Sequence, residues 1–92
     1  MIVRIATEGQ YELQGGDEDE LRELDTQAAG ACQGTDEEQF RQAFDRLLDF
    51  VRSHGQPVDD DRLAGSDVIL PPPDTTMEEA RGEFTGEGLI PG

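Results

Sequence analysis

The chain has 92 residues, of which 22 are acidic and 7 basic, so its formal net charge is −15. This charge repels nucleic-acid phosphates and anionic lipid head groups, which argues against direct binding to DNA, RNA or a membrane surface. The length predicts a single domain over residues 1–92. The lone cysteine excludes an intramolecular disulfide, and no apolar run reaches the roughly 20 residues of a membrane span.

The N-terminal residues predict one strand and favour a second. β-Branched residues in MIVRIA are typical of a strand over residues 1–6. The glycine of the following TEGQ can adopt a positive φ, so a turn is expected there. Tyr11 and Leu13 then lie on one face of an extended segment, which is compatible with a short strand that returns along the first.

A first helix is predicted to begin at the N-cap Asp17, with Glu20 three residues later as in a capping box. Acidic residues crowd its first turn, where the helix dipole favours them. The apolar positions of this segment recur with helical spacing and form one narrow stripe. They are Leu21, Leu24, Ala28 and Cys32.

The second helix has the stronger pattern. Thr35 and Glu38 are the expected capping box, and an apolar stripe runs from Phe40 to Val51. His54 and Gly55 are expected to end this helix, with the glycine in a left-handed cap. The short CQGT link predicts an antiparallel helical hairpin, and Phe50 lies off the stripe, where it could make a second contact.

The remaining segments predict one more strand and a short helix. QPVDDDRLAG is interpreted as a polar connector. The continuous apolar run 68–70 favours a short strand that is buried on both sides or covered at an edge, and we expect it to pair with residues 2–5. The three prolines after it end the strand. Thr75 with Glu78, or Thr76 with Glu79, then caps a predicted helix at about 76–84.

Two features near the C-terminus leave alternatives open. The Gly-rich tail 85–92 carries one apolar pair and could fold back over the sheet or be a flexible, displayed segment. DVILPPP is interpreted first as a strand with a proline stop, and second as a peptide with polyproline geometry that a partner reads. The candidate partner-binding residues are therefore Val68, Ile69, Leu70, Leu89, Ile90 and Phe50.

No group of residues predicts catalysis, a metal site or a cofactor. The acidic runs that begin at Asp17 and Asp59 lack the ligand spacing of an EF-hand. Cys32 and His54 are too few for a zinc site and are expected at opposite ends of the hairpin, which also argues against a nucleophile–base pair. The absence of lysine excludes Schiff-base and P-loop chemistry. The sequence therefore predicts a protein without enzymatic activity.

Three stretches, MIVRIATEGQY, SDVILPPPDTTMEE and GEGLIPG, together resemble the PspAA family in their order and spacing. The resemblance covers essentially the whole chain. It implies a link to PspA, a coiled-coil, membrane-remodelling protein of the envelope-stress response, and it brings no catalytic residues. The expected protein is then an accessory protein that binds a PspA-like coiled coil, resides in the cytoplasm and reaches the inner face of the membrane through that partner.

The acidic composition alone admits a different function. The same charge suits an acidic regulator, antitoxin-like or anti-activator, that occupies a basic surface of a DNA-binding or effector protein. A third interpretation gives the acidity no function beyond a solvated surface. In every case the predicted fold class is α+β, with a small two- or three-stranded sheet packed on an antiparallel helical hairpin and a short C-terminal helix.

Overall fold

The computed structural model describes residues 1–59, 65 and 67–84 and shows an α+β fold. Within these residues, three helices and one mixed sheet confirm the predicted class, although the sheet has four strands rather than two or three. The elements are β1 (Ile2–Ile5), β2 (Gly9–Glu12), α1 (Gly15–Cys32), α2 (Glu37–His54), β3 (Gln56–Val58), β4 (Val68–Leu70) and α3 (Met77–Glu83).

The sheet has the strand order β3-β2-β1-β4. β1 pairs antiparallel with β2 and parallel with β4, which confirms both the returning strand and the predicted pairing of residues 68–70 with residues 2–5. The additional strand is β3, which lies within the predicted connector and pairs antiparallel with β2. Pro57 has no backbone N–H to donate to a neighbouring strand. It is tolerated because β3 is an edge strand, which has a neighbouring strand on one side only.

The turn between β1 and β2 uses two residues with positive φ. Gly9 has a φ of 149°, as the sequence led us to expect, and Thr7 has a φ of 69°. The N–H of Glu8 donates to the carbonyl of Ile5 at 2.9 Å and closes the turn. A β-branched residue is rarely found in this left-handed region, so Thr7 is a strained position in the turn.

The core lies between the sheet and the helical hairpin. Phe44 is at its centre, with its ring stacked on Phe40 at 5.4 Å and in edge contact with Phe84 at 6.2 Å. Cys32 is also buried, in agreement with its place in the apolar stripe of α1, and this burial raises the pKa of its thiol. The other buried hydrophobic members include Val3, Ile5, Leu13, Leu21, Ala28, Ala29, Leu47, Leu48, Val51, Val68, Leu70, Met77 and Ala80.

The helix boundaries differ from the prediction in physically simple ways. The N-cap of α1 is Gln14, three residues before the predicted cap, so Asp17 lies in the first turn. α2 is capped by Asp36 instead of Thr35, because the Asp36 carboxylate accepts hydrogen bonds from the N–H groups of two first-turn residues. Of the two caps proposed for α3, Thr76 with Glu79 forms the capping box.

Gly55 ends α2 without adopting the left-handed conformation that we predicted. Its backbone is extended, with φ −81° and ψ 152°, and its N–H donates to the carbonyl of Val51 at 2.8 Å. The chain turns directly from this glycine into β3. The prediction of a left-handed cap was therefore wrong. The reason for glycine at this position is a lack of space for a Cβ atom.

β4 is covered on one face only. Val68 and Leu70 are buried in the core, whereas the side chain of Ile69 between them is 60% exposed. The continuous apolar run had suggested a strand buried on both sides or covered at an edge, and for Ile69 this was wrong. Because side chains alternate along a strand, only the first and third residues can face the hairpin.

Arg81 of α3 forms hydrogen bonds with backbone carbonyls at the end of α1. Its Nε donates to the carbonyl of Cys32 and one terminal nitrogen donates to the carbonyl of Gly34, each at 2.7 Å. The last carbonyls of a helix have no partner within the helix, and the last turn of α1 contains no basic residue of its own. A cation from a distant helix therefore satisfies this C-terminus.

Arg52 fastens the β1–β2 turn to α2. Its guanidinium makes two parallel hydrogen bonds to the Glu8 carboxylate, at 2.8 and 2.6 Å, and a third to Asp49 at 2.9 Å. Such fork-to-fork pairing is geometrically specific to arginine. The hydrogen bond from Arg52 lowers the pKa of Glu8 below its ordinary value.

This pair predicts a pH dependence of stability. The pKa of Glu8 is lower in the folded protein than in the unfolded chain. The pair therefore contributes fully to the free energy of unfolding above about pH 5, and this contribution is lost as the pH falls through the folded-state pKa of Glu8. We expect Glu8→Gln to reduce the fall in the free energy of unfolding below that pH, as measured by urea titrations at several pH values. Arg52→Met should give the same reduction, and the double variant no further one. A wild-type pH profile in Glu8→Gln would contradict the assignment.

Candidate protein-binding cleft

An open cleft lies where α2 and α3 begin. Its volume is about 490 Å³. It combines acidic side chains, two large apolar side chains and one arginine, which makes it chemically suited to contact another molecule. The lining residues are Glu37, Glu38, Phe40, Arg41, Thr76, Met77 and Glu78.

The two helix caps explain the acidic side of the cleft. Asp36 caps α2 and Thr76 caps α3, and both first turns contribute to the lining. Acidic residues in a first turn are favoured by the unpaired N–H groups and dipole of the helix. Since the two helices begin beside each other, the carboxylates that stabilise each start share one cleft. They belong to Glu37, Glu38 and Glu78.

The apolar part of the cleft lining comes from two residues. Phe40 and Met77 line the cleft, and both are buried members of the core cluster. An arginine or lysine side chain has a matching division into an apolar stem and a charged end. The carboxylates of the cleft can pair with such a charge, whereas Phe40 and Met77, which are 1% and 6% exposed, leave little surface for the stem.

Arg41 holds the proline segment that precedes α3. It donates to the carbonyls of Pro73 and Thr75, at 2.9 and 2.6 Å, while its guanidinium lies 5.6 and 5.7 Å from the ring centres of Phe40 and Phe44. The prolines stop β4, and Arg41 of α2 then binds the carbonyls of Pro73 and Thr75. This arrangement gives the segment a structural role and positions the start of α3 beside the start of α2.

The sequence comparison identifies the family. The family model PspAA, described as PspA-Associated protein, matches residues 1–92. The chain belongs to the PspAA family. This confirms the resemblance carried by the three stretches at the start, middle and end of the sequence. Searches of curated proteins and of solved structures each returned no match.

In this PspAA chain, the predicted partner-binding residues do not meet in the cleft. Val68 and Leu70 are in the core, and Ile69 is exposed on the opposite face of the sheet. Phe50 is 8% exposed and stacks on the His54 ring at a centroid distance of 4.3 Å. Leu89 and Ile90 lie outside the described residues. A role of these six residues in binding stays a prediction, and Ile69 has the most accessible side chain of the four that are described.

The described part of the PspAA chain contains neither a membrane-spanning helix nor a cluster of metal-ligating side chains. No helix within residues 1–59 and 67–84 is long and apolar enough to cross a membrane. Among the same residues, no three His, Cys, Asp or Glu side chains are grouped so that they could hold a metal ion.

Proposed function

We propose that this PspAA protein is a non-enzymatic accessory protein that binds a PspA-like coiled-coil protein and acts with it in the envelope-stress response. The observation that carries the proposal is the match of the whole chain to the family of PspA-associated proteins. This match favours the accessory role over the acidic regulator of a DNA-binding or effector protein, for which composition is the only support. In this proposal the protein is cytoplasmic and reaches the inner face of the membrane through its partner.

The acidic cleft is the proposed point of contact. Three carboxylates and two apolar residues line it, and the chain as a whole has a net charge of −15. A negative field of this size accelerates encounter with a basic surface and is screened by salt. Coiled-coil helices commonly display basic side chains beside their apolar seam. A basic side chain of the partner helix would enter the cleft between α2 and α3.

The test is a charge reversal with a matched control. The variant Glu37→Lys, Glu38→Lys, Glu78→Lys changes the cleft, and Glu20→Lys, Glu23→Lys, Glu83→Lys makes the same change at exposed positions outside it. We expect the cleft variant to bind the purified PspA-like protein of the same genome at least about tenfold more weakly, because each lost surface ion pair contributes about 0.5 kcal/mol and each new like-charge contact opposes binding.

Isothermal titration calorimetry at about 150 and 500 mM salt supplies both the dissociation constants and their salt dependence. The control variant should lose no more than about threefold in affinity, since it changes only the long-range field. Equal losses in both variants would contradict the cleft as the contact. Failure of the wild-type protein to bind would contradict the proposed function itself.

A further inference from the structure

Arg41 lies in the acidic cleft but does not pair with the carboxylates that line it. Within the described part of the chain, these three carboxylates make no ion pair and no hydrogen bond. They belong to Glu37, Glu38 and Glu78. A guanidinium beside three glutamates would ordinarily bind one of them in fork geometry. The other contacts of Arg41 explain why it does not.

The guanidinium donates instead to the backbone of the segment that leads into α3. One terminal nitrogen donates to the carbonyl of Pro73 at 2.9 Å, and the other donates to the carbonyl of Thr75 at 2.6 Å. The nitrogen that binds Pro73 also lies 3.5 Å from a carboxylate oxygen of Asp45, which is one turn along α2 and does not line the cleft. Both terminal nitrogens are therefore engaged away from the three glutamates.

The turn before α3 needs a donor from outside. Residues 71–73 are prolines without N–H groups, and the N–H of Thr75 donates to the carbonyl of Pro72 at 3.0 Å. Thr75 is only 5% exposed, so its backbone carbonyl has to be satisfied within the protein. Arg41 satisfies it, and a residue of α2 thereby fixes the position at which the N-cap of α3 begins.

This contact connects the two acidic walls of the cleft. Glu37 and Glu38 are in the first turn of α2, a few residues before Arg41, and Glu78 is in the first turn of α3, just after Thr75. The guanidinium is itself held in place by two phenylalanine rings of α2, whose centres lie at 5.6 and 5.7 Å. The hydrogen bond from Arg41 to Thr75 is thus a short, direct connection between the carboxylates of the two helices.

We propose that Arg41 is a positioning residue for the binding of a basic side chain in the acidic cleft. It brings the carboxylates of α2 and α3 to one site. Because its own donors are bound to backbone carbonyls, it also leaves these carboxylates available to the cation of another molecule. The proposal rests on the proposed function for the identity of that molecule, the PspA-like coiled-coil protein.

Arg41→Gln is the decisive variant, because charge and position predict opposite results. Charge alone predicts tighter binding, since the loss of a positive charge makes the cleft more attractive to a basic partner. The positioning role predicts weaker binding, and we expect a loss of at least about fivefold in calorimetry with the purified PspA-like protein. Arg46→Gln is the matched control, because it removes the same charge from the same helix outside the cleft lining. It should bind at least as tightly as the wild type.

A double-mutant cycle with Glu78→Gln separates positioning from a general loss of stability. Glu78 is on the wall that Arg41 positions, so Arg41→Gln should weaken binding by less than about twofold when Glu78→Gln is already present. Circular dichroism first establishes that each variant is folded at the temperature of the titration. An equal loss with and without Glu78→Gln, or tighter binding by Arg41→Gln alone, would overturn the proposal.

Hydrogen exchange tests the same role without a partner. The N–H of Ala80 donates to the carbonyl of Thr76 at 2.9 Å in the first turn of α3. We expect this amide to exchange at least about tenfold faster in Arg41→Gln, because the start of α3 opens more often when its contact with α2 is lost. The rate in Arg46→Gln should equal that of the wild type. An unchanged rate in Arg41→Gln would show that Arg41 does not hold α3.

Failure of the proposed function can be distinguished from failure of this inference. If the wild type does not bind the PspA-like protein, the proposed function fails, and a triarginine peptide replaces that protein as the probe in an NMR titration. Amide shifts at Glu37 and Glu78 that are smaller in Arg41→Gln would support the positioning role. Shifts of equal size in the two proteins, or no shifts in the wild type, would overturn it.

Discussion

Replacing Phe44 by alanine is expected to lower the free energy of unfolding by about 3–5 kcal/mol. Phe44 is fully buried, and its ring contacts both Phe40 of α2 and Phe84 just after α3. Removing it leaves a cavity that surrounding backbone elements cannot fill without moving. A domain of this size has only about 5–15 kcal/mol of stability in total, so a large part of it would be lost.

Urea unfolding followed by circular dichroism measures this loss. Phe44→Leu is the graded control, because it keeps an apolar side chain and should lose only about 1–2 kcal/mol. We expect the urea concentration at the unfolding midpoint to decrease in the order wild type, Phe44→Leu, Phe44→Ala. An alanine variant that unfolds at the wild-type midpoint would show that Phe44 is not at the centre of the core.

The same residue connects stability to the proposed binding site. Phe84 follows α3, and its edge contact with Phe44 helps to hold that helix against the hairpin. Arg41 lies over the Phe44 ring and binds the carbonyls of the segment before α3. The position of α3, and with it one wall of the cleft, therefore depends on the core beneath.

Local patterns in the sequence were sufficient to predict most of the elements. The stripe from Phe40 to Val51 and the proline stop after residues 68–70 each specify one structure by themselves, because periodicity and missing N–H groups act locally. β3 was missed for the opposite reason. Gln56 and Pro57 are exposed, so the strand has little apolar pattern, and it forms because its backbone pairs with β2.

The candidate site was harder to predict than the fold. The sequence shows acidic first turns but cannot show that α2 and α3 begin beside each other, since this depends on the long-range contacts of Arg41 and Arg81. Seven arginines are visible in the composition. That Arg41 and Arg81 each bind two backbone carbonyls from another segment is a property of the folded chain. Those bonds need the planar guanidinium fork, for which lysine is a poor substitute.

Gly55→Ala is expected to destabilise the protein by about 2–3 kcal/mol, although the backbone conformation of Gly55 is open to any residue. A Cβ atom there would lie 2.6 Å from the carbonyl oxygen of Val51 and 2.7 Å from the Cβ of Tyr11. Both obstructing atoms belong to regular elements, α2 and β2, and neither can rotate away. The clash can be relieved only by separating the end of α2 from the sheet, which would also disturb β3.

Two controls separate lack of space from backbone conformation as the reason for this glycine. Gly30→Ala places the same methyl group where nothing lies within 4 Å and should stabilise the protein by about 0.5–1 kcal/mol. Gly55→Asn would be tolerated if a left-handed cap were required, because asparagine adopts that conformation readily. With the extended backbone observed here, asparagine should destabilise the protein at least as much as alanine in urea unfolding. An asparagine variant as stable as the wild type would show that α2 ends in the left-handed cap after all.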